Sequence, residues 1–213
     1  MERDLHKKRA DKMNKQEELK SILLGYGLDG NRPTRVNMTR NDLAVVFAKL
    51  GYSEGAEIGV ERGIFSEILC KANPDLLLLC VDPLVPYEGY REHVSKEKMD
   101  GFFQEVSRRL APYNHFILRD FSMEALKSVE DETLDFVYID ANHDFLNTTL
   151  DIYGWSQKVK TGGIVSGHDF SRNKKKDYKC HVKDVVQAWT YAHDIKEWYV
   201  TSDSSPSWFF IKE

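Results

Sequence analysis

The sequence predicts an α/β protein with a doubly wound, mostly parallel seven-stranded sheet that is covered by helices and ends in an antiparallel strand. From residue 56 onward, short apolar runs alternate with segments of helical periodicity, which is the order of βαβ units. Runs such as Leu76–Val81 and Leu134–Ile139 are continuously apolar, as strands buried on both faces are. Near the C-terminus, Asp203-Ser204-Ser205-Pro206 separates two apolar runs and predicts the turn of a final antiparallel pair.

The N-terminal fifty residues predict a helical extension, residues 1–50, ahead of a ligand-binding domain, residues 51–213. Residues 1–20 are dense in both charge signs and indicate a solvated helix or a mobile leader. Residues 25–35 contain Gly, Asn and Pro and indicate a loop. Thr39 or Asn41 then caps a helix that runs to Leu50, because apolar residues recur there at helical spacing.

The remaining elements follow in alternation, and glycine or proline marks several of their ends. Gly51 and Gly55 precede the first strand, Asn73-Pro74 ends the first helix, and Gly162-Gly163 precedes the fifth strand. The predicted strands are 56–60, 76–81, 115–118, 134–139, 164–166, 197–201 and 208–211. The predicted helices are 65–71, 95–110, 123–129, 145–159 and 182–192.

Size and composition limit the class of protein. With 213 residues, 41% hydrophobic and 30% charged, the chain suits one well-buried domain. We expect no membrane span and no secretory signal, because no apolar run approaches about 20 residues and none follows the charged N-terminus. The three cysteines lack metal or disulfide spacing and favour a reducing, cytoplasmic location. The net charge of −4 argues against nucleic-acid binding by the entire surface.

Ligands of doubly wound sheets bind at the carboxyl ends of the strands, so the residues that follow each strand are the candidates. The first strand leads into Glu57-x-Gly59-x-x-x-Gly63, where glycines allow close approach of a ligand. The spacing is not that of a dinucleotide loop, and the alternative is a plain turn. Asp82 follows the second strand and is placed to accept hydrogen bonds from ribose hydroxyls, or else to cap a turn.

The ends of the next three strands carry further polar residues. Asp120, Phe121 and Ser122 follow the third strand and suit an adenine ring, although Ser122 equally suits a helix N-cap. The fourth and fifth strands end in carboxylates and imidazoles, namely Asp140, His143, His168 and Asp169. Carboxylates bind hard divalent cations, and an imidazole can serve as a base near neutral pH. The alternative is that these groups cap helices or face solvent.

The segment from Ala56 to Ser66 resembles the first motif of class I S-adenosylmethionine-dependent methyltransferases. Together with Ile139-Asp140-x-x-His143 it is most similar to the small metal-dependent O-methyltransferases of the macrocin type and the cephalosporin-hydroxylase-like proteins, and the resemblance covers about residues 56–186. It implies a Rossmann-like fold that binds S-adenosylmethionine. By this resemblance, the methionine end of the cofactor would lie on Glu57, Gly59 and Gly63. The ribose would lie on Asp82, and the adenine would lie among Asp120, Phe121 and Ser122.

The resemblance also implies a metal and a base. Asp140 would help bind magnesium, and His143, three residues later, would deprotonate the acceptor. That branch carries two acidic residues after the fifth strand, whereas this chain has His168-Asp169. Asp169 remains a predicted ligand, and a His168 ligand would favour manganese, iron or zinc over magnesium.

The predicted acceptor is a hydroxyl of a small molecule or glycan. The basic run 172–179 follows the fifth strand and favours an anionic acceptor, or else forms a solvated loop or lid. We expect no membrane partner, and a homo-oligomer remains open. Two alternatives are a nucleic-acid methyltransferase, disfavoured because no Asn-Pro-Pro-Tyr motif is present, and a non-catalytic binding protein on this fold. A nicotinamide oxidoreductase is disfavoured by the glycine spacing.

Overall fold

The computed structural model describes residues 14–87, 94–175 and 178–213, with backbone alone for 174, 175 and 178. Residues 14–24 form helix α1. The later helices are α2 (Arg40–Lys49), α3 (Ile64–Ala72), α4 (Lys96–Leu110), α5 (Ser122–Ala125), α6 (Phe145–Lys158) and α7 (Val182–Ala192). The strands are β1 (Thr34–Val36), β2 (Glu54–Ile58), β3 (Leu77–Val81), β4 (His115–Leu118), β5 (Leu134–Ile139), β6 (Val159–Gly167), β7 (Asn173–Lys175), β8 (Tyr178–Cys180), β9 (Trp198–Thr201) and β10 (Trp208–Ile211).

Eight strands form one sheet in the order β1-β9-β10-β6-β5-β2-β3-β4. Strand β10 runs antiparallel to both β6 and β9, while the pairs from β6 to β4 are all parallel. This confirms the predicted doubly wound, mostly parallel sheet with an antiparallel final strand. The seven predicted strands are all present, and β1 adds an eighth at the edge.

Apolar side chains cover both faces of the sheet, as the continuous apolar strands predict. On one face α1, α2, α3 and α4 pack over residues that include Phe136 and Tyr138. On the other, α6 and α7 pack over residues that include Val137 and Trp208. The carboxyl ends of β2, β3, β5 and β6 therefore meet at one edge, and the loops that follow them are held by buried strands.

The N-terminal segment is part of this same packing. Leu19 and Leu23 on α1 are completely buried, so the part of the predicted leader that lies within residues 14–20 is a docked helix. The remainder, residues 1–13, lies outside the described residues. The predicted loop over residues 25–35 is wrong at its end, because Thr34–Val36 pairs in parallel with β9. The division of the chain at residue 50 remains a prediction.

The basic run contains an antiparallel hairpin rather than a plain loop. Strands β7 and β8 pair with Asn173 opposite Cys180 and Lys175 opposite Tyr178. Residues 176 and 177 lie outside the description. Among the described residues, none of the helices is long and apolar enough to cross a membrane.

Two neighbouring leucines on α1 test whether this helix is part of the core. We expect Leu23→Ala to lower the free energy of unfolding by about 2–5 kcal/mol, because a fully buried leucine leaves a cavity. Leu24, 65% exposed, is the matched control, and Leu24→Ala should change stability by no more than about 0.5 kcal/mol. Urea unfolding of both variants gives the comparison. Equal effects would contradict the docked position of α1.

Candidate active site

The glycine loop after β2 is shaped by close backbone contact. Gly59 has a φ of +91°, and a Cβ there would lie 2.1 Å from the carbonyl oxygen of Asp140. Gly63 has a φ of +69° and is the N-cap of α3. Any larger residue at position 59 would displace Asp140. The loop and the end of β5 are thus in backbone contact, while Gly63 itself serves the turn into α3.

Asp82 holds the glycine loop from the neighbouring strand. Its Oδ2 accepts hydrogen bonds from the N–H groups of Val60, at 3.0 Å, and Glu61, at 2.8 Å. Its Oδ1 accepts from the N–H of Leu84 at 2.9 Å. The side chain lines the cavity while it braces the loop. Its predicted ribose contact and this bracing are compatible, because each carboxylate oxygen accepts more than one hydrogen bond.

Glu57 is buried at the base of the cavity, with 2% of its surface exposed. It accepts a hydrogen bond from the hydroxyl of Ser66 on α3. Burial raises the pKa of Glu57 to about 8, against the smaller opposite effect of Ser66. A carboxyl group without a buried counter-ion is most stable in its neutral form. Glu57 therefore holds a proton at neutral pH.

Of the three residues predicted to surround the adenine, two line the cavity and one does not. Phe121 is exposed at the cavity wall, with its ring 5.3 Å from that of Tyr87 in an edge-on arrangement. Ser122 also lines the cavity, and its hydroxyl donates to Asp151 at 2.5 Å and accepts from the indole of Trp155 at 2.8 Å. Asp120 is exposed and does not line the cavity. The N-cap of α5 is Phe121, so the alternative of Ser122 as that N-cap is wrong.

Two carboxylates and two imidazoles meet where β5 and β6 end. Nε2 of His143 lies 3.4 Å from Oδ1 of Asp140 and 3.4 Å from Oδ2 of Asp169. Nδ1 of His168 lies 3.5 Å from Oδ2 of Asp140 and 3.6 Å from Oδ2 of Asp169. All four predicted residues line the same cavity. We call these four residues the Asp-His cluster.

The donor atoms of the cluster fit a divalent cation. One ligand atom each from Asp140, His143 and Asp169 lie within 4.8 Å of one another, so one ion can contact all three. Carboxylate oxygens suit magnesium and manganese, while imidazole nitrogens favour manganese, iron or zinc. His143, which is predicted as a base, is thus part of this potential ligand set, whereas His168, which is predicted as a ligand, is not.

Charge within the cluster is mutually stabilising. Burial lowers the pKa of His168, but the neighbouring Asp169 and Asp140 outweigh it and leave that pKa above its ordinary value. The same His168 imidazole holds the pKa of Asp169 below its usual range. This pair therefore favours an imidazolium beside a carboxylate when no other cation is near.

His181, which follows the β7–β8 hairpin, forms hydrogen bonds with the segment that contains His143. The N–H of His181 donates to the carbonyl of His143 at 2.8 Å, and Nδ1 of His181 accepts from the N–H of Phe145 at 3.1 Å. His143 is 7% exposed. Its backbone is therefore fixed by the residue that precedes α7.

Sequence reasoning missed several charged residues that line the cavity, and Arg40 is one of them. Arg40, the first residue of α2, lines the cavity together with Glu57 and the cluster. A single arginine at the start of a helix resembles any solvated charge, and no motif surrounds it. The cavity that these residues share measures about 730 Å³.

A family model described as a methyltransferase domain matches residues 56–170, which is more than half of the chain. The chain belongs to this family. Its fold confirms the resemblance to class I S-adenosylmethionine-dependent methyltransferases. The matched residues include the glycine loop, Asp82 and the whole Asp-His cluster of the methyltransferase. No curated protein matches the chain.

Solved structures share the fold of this methyltransferase at low identity. An O-methyltransferase from Bacillus cereus in complex with S-adenosylhomocysteine is 11% identical, with a TM-score of 0.58 over 93% of this chain and 91% of that one. The O-methyltransferase TomG from Streptomyces achromogenes, in complex with S-adenosylmethionine, is 15% identical, with a TM-score of 0.55 over 82% and 80%. A precorrin-6y C5,15-methyltransferase from Geobacter metallireducens is 13% identical, with a TM-score of 0.51 over 79% and 84%.

The buried Glu57 gives the stability of the methyltransferase a distinctive pH dependence. Its raised folded-state pKa means that its stabilising contribution is complete below about pH 4.5 and is lost as the pH rises to about 8. We expect the free energy of unfolding of the wild type to fall relative to Glu57→Gln across this range, as measured by urea unfolding. The exposed Glu17→Gln should follow the wild-type profile. A constant difference between wild type and Glu57→Gln would show that Glu57 is ionised.

Proposed function

We propose that this methyltransferase transfers the methyl group of S-adenosylmethionine to a hydroxyl group of a small molecule or sugar, assisted by a divalent cation on the Asp-His cluster. The observation that carries the proposal is the contact between Gly59 of the glycine loop and Asp140 of the cluster. A cofactor that lies on the loop has its reactive end beside two carboxylates and two imidazoles. The O-methyltransferases among the similar structures support the same acceptor atom.

The cofactor supplies the electrophilic methyl group, so the protein has to place the acceptor and remove its proton. Asp82 holds the loop N–H groups of Val60 and Glu61 in place and is available to the ribose. Phe121 and Tyr87 form the wall on which the adenine ring would lie. These residues would hold the cofactor at its nucleoside end.

His143 is the proposed base. Its ring is buried, faces both carboxylates, and is anchored through its own carbonyl by His181. A cation on Asp140 and Asp169 would lower the pKa of the acceptor hydroxyl, with His168 as a further ligand. His143 would then take the hydroxyl proton on its Nε2, which lies 3.4 Å from an oxygen of each carboxylate.

Exposed residues close in sequence to the lining of the cavity suit an acceptor with apolar and anionic parts. Phe145, at the start of α6, is 55% exposed next to cavity-lining Asp144. The β7–β8 hairpin carries the basic run, and its described Lys179 is exposed. The Arg172 guanidinium is paired with Asp184, so Lys179 is the better candidate for an anionic substituent.

Calorimetry with S-adenosylhomocysteine tests the cofactor site. We expect wild-type binding and a loss of about 10- to 100-fold for Asp82→Asn, since loop bracing and ribose contact both need the carboxylate. Asp75, exposed in the turn before β3 and outside the cavity, provides the control Asp75→Asn, which should bind as the wild type does. Absence of wild-type binding would refute the cofactor assignment.

We expect substitution of His143 to lower turnover and substitution of His168 to lower the affinity for a metal ion. With an acceptor found by screening hydroxyl compounds against methyl-labelled cofactor, His143→Ala should lower kcat by about 10²–10⁴-fold. The affinity of the His143→Ala variant for Mn²⁺, measured by calorimetry, should stay close to that of the wild type. His168→Ala should instead weaken Mn²⁺ binding. Strong loss of Mn²⁺ affinity in His143→Ala would make His143 a ligand and not the base.

A further inference from the structure

Arg40 enters the cavity from a part of the chain that the family match does not include. It is the first residue of α2, directly after the N-cap Thr39, whose capping box with Asp42 fixes the start of the helix. The N–H of Arg40 donates to Oδ2 of Asp203 in the turn between β9 and β10, at 3.2 Å. The backbone of Arg40 is therefore held from two sides.

The guanidinium of Arg40 lies over the ring of Phe65, with its Cζ 5.1 Å from the ring centroid. Its Nη1 is 3.7 Å from Oδ2 of Asp140, which is attractive but too long for a hydrogen bond. Within the described part of the chain, no hydrogen bond joins the Arg40 guanidinium to another residue. About a third of the side chain is exposed, toward the cavity. A fixed cation thus presents unused N–H donors to a ligand.

The position of the guanidinium indicates which part of a ligand it meets. Phe65 follows the glycine loop by two residues, on the first turn of α3, and Glu57 lies at the loop's beginning. Asp82 and Phe121 mark the nucleoside end of the cavity, on the side of β3 and β4. Arg40 lies beside Asp140 at the end of β5, and β5 is on the opposite side of β2 from β3. The amino-acid part of the cofactor would extend toward this side.

Arginine is suited to a carboxylate, because its planar fork donates two parallel hydrogen bonds. The amino-acid part of S-adenosylmethionine ends in a carboxylate. The nearby Glu57 does not compete for the guanidinium, since it is buried and hydrogen-bonded to Ser66. Asp140 balances part of the charge of Arg40 without occupying its donors.

We propose that Arg40 binds the carboxylate of the amino-acid end of the cofactor, so that the N-terminal segment completes the cofactor site. The inference rests on the proposed function, since it presumes the cofactor on the glycine loop. Arg40 is then a cofactor-binding residue contributed by α2, opposite the nucleoside contacts of Asp82.

Two ligands that differ only in the carboxylate test the proposal by calorimetry. They are S-adenosylhomocysteine and its decarboxylated analogue, S-adenosyl-3-thiopropylamine. Arg40→Gln should weaken the binding of S-adenosylhomocysteine by about 10- to 100-fold, which is the range expected for the loss of hydrogen bonds to a charged group. The same substitution should leave the affinity for the analogue unchanged or increase it, because the analogue keeps only the ammonium. Arg40→Lys should give an intermediate loss, because the charge remains and the fork does not.

Arg35, exposed on β1 and outside the cavity, provides the charge-matched control Arg35→Gln, which should bind both ligands as the wild type does. Thermal unfolding of unliganded Arg40→Gln should match the wild type, which separates binding from folding. Equal losses for both ligands, or a raised KM for the acceptor with unchanged cofactor affinity, would overturn the proposal and leave the proposed function intact. Failure of the wild type to bind S-adenosylhomocysteine would instead refute the proposed function.

Discussion

The site depends on the contact between Gly59 and the backbone of Asp140. The N–H of Gly59 donates to the carbonyl of Val81 at 2.8 Å, and the N–H of Asp140 donates to that of Ile58 at 2.7 Å. The sheet ladder therefore continues one residue beyond the strands, with no side chain in the way. The glycine loop and the Asp-His cluster belong to different βα units, and this backbone hydrogen bonding joins them directly.

Electrostatics around this contact follow from burial. Glu57 is buried in the strand that leads to this contact, and burial favours its protonated form because a buried charge is unfavourable. The hydroxyl of Ser66 donates a hydrogen bond to it. Imidazoles lie beside both Asp140 and Asp169, and Arg40 lies beside Asp140. The His168 imidazole lowers the pKa of Asp169. The lining of the cavity thus combines the buried carboxyl group of Glu57 with the carboxyl groups at the ends of β5 and β6.

Local sequence patterns were sufficient for most of the fold, because continuous apolar runs and glycine or proline breaks are local signals. They failed for β1, a strand of three residues without periodicity that exists because it pairs with β9. They failed for Arg40 for the same reason, since its neighbours Phe65 and Asp140 are brought to it by tertiary packing. Strand-end reasoning placed Asp82, Asp140, His143, His168 and Asp169 at one cavity. It did not foresee the bracing of the loop by Asp82, and the individual roles of these residues remain predictions.

The pairing of β1 with β9 has a consequence for biosynthesis. Thr34 is in register with Tyr199, so this edge of the sheet closes a loop of about three quarters of the chain. Such long-range pairing is slow to form, and a nascent chain has to wait for it. On the ribosome, the βα units from β2 to β6 are complete well before residues 198–203 emerge. The position of Arg40, which Asp203 helps to hold, is therefore among the last parts of the cavity to be assembled.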